Sequence, residues 1–328
     1  MAEAFGDTLA FDEGEWQKII DFFARTNRRP TPNNRKQAMC PTVGHKLIND
    51  HGTAPGAWFE DADGHCAALM PGVPREMKAM WAEQVRPILL KRQNCTIHSR
   101  TLRVLGGESA IASKVAPLFE AANPTAAIYC KTGECEIRVT AREATEQAAE
   151  AACNARIAEF KEILGAAAYD VDVPALEYTV VRALRERGLH AAAAESCTGG
   201  LLGKLLTDVP GASAVYLGGI ISYAYAVKER LLGVPHALLE AQGAVCEPVA
   251  RRMAEGARSL LGADYALSVT GNAGPGADEK NPRVGEIFVA CADAAGTRCV
   301  RLECGGTRAE NREAACRAAL RLLLECAV

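Results

Sequence analysis

The run Ala194-Glu195-Ser196-Cys197-Thr198-Gly199-Gly200 constrains this chain more than any other stretch. The apolar segment before it, Leu189 to Ala194, reads as a buried strand. A polar Ser-Cys-Thr triplet ends that strand, and a Gly pair opens a helix. A strand that breaks into a Gly-rich turn at a helix N-terminus brings a side-chain hydroxyl to where free backbone N–H groups converge. Such a turn suits anion binding, or oxyanion stabilisation around a nucleophilic serine, or a serine that only caps the helix. All three require a strand followed directly by a helix, which is the unit of an α/β fold.

The other apolar strand-like segments extend this pattern over the C-terminal half. Helix 176–187 precedes strand 189–194. Strand 218–223 precedes a helix carrying Lys228. Helix 247–261 leads to strand 265–270, a Gly/Pro loop over 271–283, strands 286–291 and 298–303, and a closing helix 309–324. We therefore expect a three-layer α/β domain over residues 171–328. Residues 93–170 read as strand, helix, strand, strand and helix, a small α+β domain in which Ile137 and Val139 share a strand face. Residues 1–92 are loop-rich with a helix at each end, too little for an independent core, and read as the end of a larger domain.

Alanine-rich, aromatic-poor composition fits helix-rich α/β layers. A net charge of −3 over 328 residues leaves no basic footprint, so no nucleic-acid partner is expected. No apolar run is long enough to span a bilayer, and residues 1–10 lack a signal pattern, so no membrane is expected either. The thirteen cysteines form no C-x-x-C pair. Cys66, Cys130, Cys291 and Cys299 lie in apolar segments and read as buried, reduced thiols of a cytoplasmic protein. Only His45 and His51 are close in sequence, both on a loop surface, and no ligand set suggests a metal.

Four polar clusters fall at the ends of predicted strands. They are Glu195–Gly200, Ser222-Tyr223 with Lys228, Thr270–Gly276, and Gly305–Arg308 with Arg312. Strand ends on one edge of an α/β sheet are where such folds bind ligands. Taken alone, Lys228 beside Glu229 and Arg230 reads as a solvated helix residue, and Arg308 and Arg312, one turn apart, as a solvated helix start.

These segments closely resemble the CinA family, and in particular its C-terminal nicotinamide-nucleotide amidase domain. The AESCTGG pattern is met at Ala194–Gly200. The Y-S-N-x-x-K segment is met in part by Tyr223-Ala224-Tyr225-Ala226-Val227-Lys228. Gly243-Ala244-Val245, Met253-Ala254-x-Gly256 and the TGxAGPG run at Thr270–Gly276 also match. Upstream, Asn33–Ala38, Gly52–Gly56 and Pro71–Glu76 resemble the end of the family's molybdopterin-binding-like domain, and Gly106–Ser109 the start of its KH-like middle domain. Tyr225 stands where the family usually has Asn, Cys246 where it usually has Ser, and the loop 277–283 is acidic and longer. The family's GGLGPT-type loop and paired aspartates have no counterpart, so its ADP-ribose pyrophosphatase activity is not expected, and Asn33, Lys36 and Glu76 are expected to be structural remnants.

The resemblance implies deamidation of nicotinamide mononucleotide to nicotinate mononucleotide and ammonia, in pyridine nucleotide salvage and without a cofactor. Ser196 would attack the carboxamide carbon, a neutral Lys228 would take its proton, and Tyr223 would relay one to the leaving ammonia. Backbone N–H groups of Thr198, Gly199 and Gly200 would hold the oxyanion. Arg308 and Arg312 would grip the substrate phosphate, and Thr270, Gly271, Ala273 and Gly274 would cradle the ligand. Glu195 would orient the turn or bind ribose. Cys197 is expected among the substrate-binding residues of the turn and is also a rival nucleophile, since a helix N-terminus lowers a thiol pKa. A homodimer is expected. The competing expectation is a non-catalytic nucleotide-binding or competence-associated protein.

Overall fold

The computed structural model describes residues 1–25, 27–93, 95–131 and 133–327. The chain forms two compact units, Met1–Cys95 and Thr96–Val328.

In the first unit, strand Leu9–Phe11 pairs antiparallel with Met39–Pro41, and a second small sheet has the order His45–Leu47, Gly56–Glu60, Cys66–Leu69. Helix Glu13–Ala24 starts at Asp12, whose carboxylate accepts from the Glu15 amide at 3.0 Å. The apolar centre is small: Leu47, Trp58, Met80 and Val85. Asp7 organises the loop 42–44, accepting from the Thr42, Val43 and Gly44 amides at 2.8–3.1 Å. Of the residues expected to be remnants, Asn33 and Lys36 are exposed on the 3-10 segment Pro32–Ala38, while Glu76 accepts from the Asn49 amide group at 2.7 Å. His45 lies on a strand rather than a loop, because Lys46 and Leu47 pair with Ala57 and Gly56. The sequence offers no obvious metal ligands, yet the turn after Glu60 brings ligand atoms of Asp61, Asp63 and His65 within 4.8 Å of one another.

The second unit holds two sheets. The antiparallel one has the order Thr125–Lys131, Glu134–Glu143, Thr96–Leu105, Ala168–Val171. Cys135, Ile137, Val139 and Ala141 alternate along one strand and are buried against helices Glu108–Val115 and Glu146–Leu164, as a sheet with one covered face requires. Its fourth strand, Ala168–Val171, was not expected. It is four residues long and carries Asp170, whose carboxylate points away to accept from Thr179 and Arg182 at 2.5 Å each.

The five-stranded sheet has the order Tyr216–Ile221, Ala191–Glu195, Tyr265–Gly271, Glu286–Ala292, Thr297–Glu303. The first three strands are parallel, Glu286–Ala292 runs antiparallel to them, and Thr297–Glu303 runs antiparallel to Glu286–Ala292. Helices Leu176–Arg187, Leu201–Thr207 and Arg308–Ala327 cover one face; Tyr225–Leu232, His236–Gln242 and Glu247–Leu261 cover the other. The fold is the expected three-layer α/β type. The central strand explains how the layers close. Ala191 and Ala193 face one apolar cluster, Ala192 and Ala194 the other, and all four are buried. Only methyls separate backbone from helix on either side, so both layers approach closely. No described helix is long and apolar enough to cross a membrane.

Cys66, Cys130, Cys291 and Cys299 are free thiols. Burial is less general than expected: Cys291 is buried, Cys299 half-buried, but Cys66 and Cys130 are exposed. By alternation Cys66 shares a face with Ala68 and Cys130 with Ile128, residues that pack on their cores, but each cysteine lies at or next to the end of its strand, where that cover runs out.

Candidate active site

The chain after Glu195 runs into helix Leu201–Thr207 on one face of the sheet. The chain after the neighbouring Ile221 runs into helix Tyr225–Leu232 on the other. Their carboxyl ends therefore open a crevice, the switch point at which α/β folds place ligands. Ser196 lies at one lip and Ser222-Tyr223 at the other.

Register fixes Ser196. Its amide donates to Val269 O at 2.9 Å, continuing the parallel ladder one residue past Glu195. The chain then turns through Gly199 and Gly200 with φ of 57° and 96°, which a β-carbon disfavours. Glu195 is 2% exposed, and its carboxylate accepts from the amides of Gly200 (2.9 Å), Leu202 (3.1 Å) and Gly203 (2.8 Å). This carboxylate closes the start of helix Leu201–Thr207. Glu195 thus orients the turn; the ribose-binding alternative is corrected, because its oxygens are taken up by the helix. The oxyanion assignment also changes. The Gly199 amide donates to Ser196 O at 3.2 Å and the Gly200 amide to Glu195. Among the described residues the Thr198 amide donates to none, and the Cys197 amide meets only its own thiol.

Lys228 is fully buried. Its Nζ donates to Ser196 Oγ at 3.0 Å, to the Ser222 carbonyl, and to Tyr223 O at 3.4 Å. Burial pushes its pKa down from the usual lysine value to about 8, only partly opposed by the negative potential of Cys197 and Asp278. The pair therefore has the geometry and protonation behaviour of a hydroxyl nucleophile and its base.

Cys197 points the other way, into the apolar cluster beneath the sheet. Burial pushes its thiol up to about 11, overriding the helix-start effect that would lower it. The rival-nucleophile reading is thereby corrected. Cys197→Ala should keep at least half of the wild-type reactivity of Ser196 toward a fluorophosphonate, and iodoacetamide should leave Cys197 unlabelled at neutral pH in peptide mapping.

Tyr223 is 64% exposed at the crevice lip, its hydroxyl accepting from Arg308 Nη2 at 3.3 Å. Arg308 also donates to Gly274 O at 2.7 Å. Arg312 donates to Thr198 O at 2.5 Å, bracing the turn. Its Nε and Thr198 Oγ1 are buried without a partner. The two arginines do share a helix face, but Arg308 is exposed and Arg312 half-buried. Within the Thr270–Gly276 run, Thr270 is buried and donates to Ala244 O at 2.7 Å, so its side chain braces the loop rather than facing a ligand. Ala273 is buried as well, and a β-carbon at Gly271 would lie 2.6 Å from Ile287 Cγ1, so neither presents a side chain to a ligand.

Two asparagines that sequence reasoning passed over organise this edge. Asn272 donates to the carbonyls of Asn281 (2.7 Å) and Arg283 (3.1 Å) and accepts from the Asp278 amide (2.9 Å). Asn311 donates to Ala273 O at 3.1 Å and exchanges two 3.0 Å bonds with Gly306. A signal for Asn311 existed: it occupies the buried stripe of its helix with Ala315, Ala319 and Leu322, where a polar residue needs buried partners.

The fold and this edge define a KH-type α+β domain joined to a three-layer α/β domain with a Ser–Lys pair at its switch point. Residues 174–327 match the family model described as the CinA C-terminal domain, and residues 99–169 the damage-inducible protein CinA KH domain. A putative competence-damage inducible protein of Caldicellulosiruptor bescii is 40% identical over 325 residues, covering 98% of this chain and 79% of that one. A CinA-like protein of Picosynechococcus is 45% identical over 279 residues, covering 84% of this chain and 66% of its own length. A solved structure of a CinA superfamily protein from Klebsiella pneumoniae aligns at 31% identity over 46% of this chain and 95% of that chain, with a TM-score of 0.45. The chain belongs to the CinA family.

Proposed function

We propose that this protein is an amidohydrolase that converts nicotinamide mononucleotide to nicotinate mononucleotide and ammonia by way of an acyl-Ser196 intermediate. The observation that carries the reading is the 3.0 Å bond between the fully buried Lys228 Nζ and Ser196 Oγ. A lysine without a neighbouring carboxylate in hydrogen-bond contact, held in such burial, gives up its proton near neutral pH.

Ser196 Oγ attacks the carboxamide carbon as neutral Lys228 takes its proton. The oxyanion that forms faces the Cys197 and Thr198 amides, each donor contributing about 3 kcal/mol. The C–N bond breaks as the Lys228 ammonium returns the proton to the departing nitrogen, releasing ammonia. Water, deprotonated by Lys228, attacks the ester and frees Ser196. Tyr223 and Arg308, bonded to each other at the lip, meet the nucleotide portion, and the exposed Arg308 guanidinium suits its phosphate. Glu195, Thr198, Gly199, Gly200 and Arg312 shape the turn that aims Ser196.

Ammonia release from nicotinamide mononucleotide tests the reading. The parent should turn over, Ser196→Ala should fall at least about 1,000-fold, and kcat/KM should rise with pH and level off above about 8, where Lys228 is neutral. Retained turnover in Ser196→Ala removes the proposal. Tight binding without turnover by the parent moves the protein to the non-catalytic nucleotide-binding reading.

A further inference from the structure

The loop that leaves strand Tyr265–Gly271 does not hang free. Its first part is tied to one lip of the crevice, since Gly274 O accepts from Arg308 (2.7 Å), which in turn donates to the Tyr223 hydroxyl (3.3 Å). Four residues later it is tied again. Asp278 Oδ2 accepts from the Tyr225 hydroxyl at 2.9 Å, and that same hydroxyl accepts from the Ala244 amide at 3.2 Å. Asp278 Oδ1 accepts from the Lys280 amide at 3.0 Å. A β-carbon on Gly243 would lie 2.5 Å from Asp278 Oδ1, so the carboxylate is seated against bare backbone. The loop therefore spans from Tyr223 to Tyr225, and Tyr225 begins the helix that carries Lys228 one turn later.

Tyr225 is one of the positions at which this chain departs from its family's motif, and the acidic loop is another. The two departures meet in one hydrogen bond. We infer that Tyr225 and Asp278 are positioning residues that fasten the Gly274–Arg283 loop as a strap across the mouth of the Ser196–Lys228 crevice and moor a carboxylate at the start of the helix that carries Lys228. This deepens the amidohydrolase reading and rests on it for the role of Lys228. Among the described ionisable groups, Cys197 and Asp278 act on Lys228; Tyr223 is bonded to Arg308, Arg312 to the Thr198 carbonyl, and Tyr225 to Asp278. Among the carboxylates, Asp278 is the one whose negative potential supports the ammonium form of Lys228.

Two substitutions separate the tether from the charge. Tyr225→Phe removes the hydroxyl and leaves the carboxylate; Asp278→Asn keeps an acceptor oxygen and removes the charge. Two readouts follow the folded full chain: trypsin cleavage after Lys280 and Arg283, and the pH midpoint of fluorophosphonate labelling at Ser196. Neither needs the natural substrate, so failure of the strap is distinct from failure of the amidase assignment. Tyr225→Phe should be cut at these two sites at least about fivefold faster than the parent, with thermal melting checking that the fold is intact. Asp278→Asn should lower the labelling midpoint by about half a pH unit, because the ammonium form loses its anionic neighbour. Parental cleavage rates in Tyr225→Phe, or an unmoved midpoint in Asp278→Asn, overturn the inference.

Discussion

Lys228→Met should give a protein that is inactive and more stable than its parent. Burial holds the Lys228 pKa near 8, against 10.5 for a free lysine. The unfolded chain binds the extra proton between those values, so stability rises with pH from about 8 to about 10.5, and below pH 8 the fold bears the full cost of the buried ammonium. A shift of this size corresponds to roughly 3 kcal/mol, part of which is offset by the hydrogen bonds to Ser196 and the Ser222 and Tyr223 carbonyls. Methionine fills a similar volume without charge. Urea melts at pH 7 should show a gain of about 1–3 kcal/mol, and the parent, unlike the variant, should gain stability between pH 8 and 10. Fluorophosphonate labelling of Ser196 should drop by at least about 100-fold. A variant less stable than the parent would mean that Lys228 serves the fold, and the functional reading of its burial would fail.

Glu195→Ala should be the most damaging single change at the site, although Glu195 takes no part in the chemistry. Three amides of the helix start, those of Gly200, Leu202 and Gly203, point at its carboxylate inside a buried corner. Removing the acceptor strands all three donors, at about 3–5 kcal/mol together once some water enters. Differential scanning calorimetry should record a fall of roughly 10 °C. Ser196 reactivity should be lost well below that melting point, because the turn that aims the hydroxyl depends on the same carboxylate. A drop of under 1 kcal/mol would show that water replaces the carboxylate readily and that the turn is held by its glycines alone.

Ser196 was legible because its neighbours are local. An apolar strand, a polar triplet and a Gly pair identify a strand–turn–helix unit within a dozen residues, with no knowledge of the rest of the chain. Lys228 was not legible in that way. Flanked by Glu229 and Arg230, it looks solvated, and only the family resemblance singled it out. Its burial arises from strand Tyr216–Ile221 lying beside Ala191–Glu195, a pairing set by tertiary structure. Thr270 is legible as a position but not in its role, and for Glu195 the sequence leaves the turn and the ribose both open, since hydrogen-bond partners such as Ala244 O and the Leu202 amide are fixed only when the layers assemble. Helix His236–Gln242 went unseen for a related reason: its seven residues follow a proline and are too few to repeat a helical period, and Leu239 is the residue it buries. The long helices and buried strands, whose periodicity repeats over many residues, sit where their patterns place them.

The helix Arg308–Ala327 touches more than the crevice. Beyond Arg308 and Arg312 it presents Arg317, which pairs at 3.3 Å with Glu134 of the antiparallel sheet; Glu134 in turn accepts from Tyr169 at 2.7 Å and lies beside the buried Arg103. Asp170, from the last strand of that sheet, takes bonds from Thr179 and Arg182 of the first helix of the α/β layers. Modularity in the sequence is therefore not modularity in the folded chain. A C-terminal piece excised at residue 171 would keep Ser196 and Lys228 but separate Arg182 and Arg317 from their carboxylates. The same rod that carries Arg308 at the crevice would then lose its bond to Glu134. In this protein the antiparallel sheet is thus tied to the helix that borders the crevice, through Glu134 and Arg317, and to the first helix of the α/β layers, through Asp170.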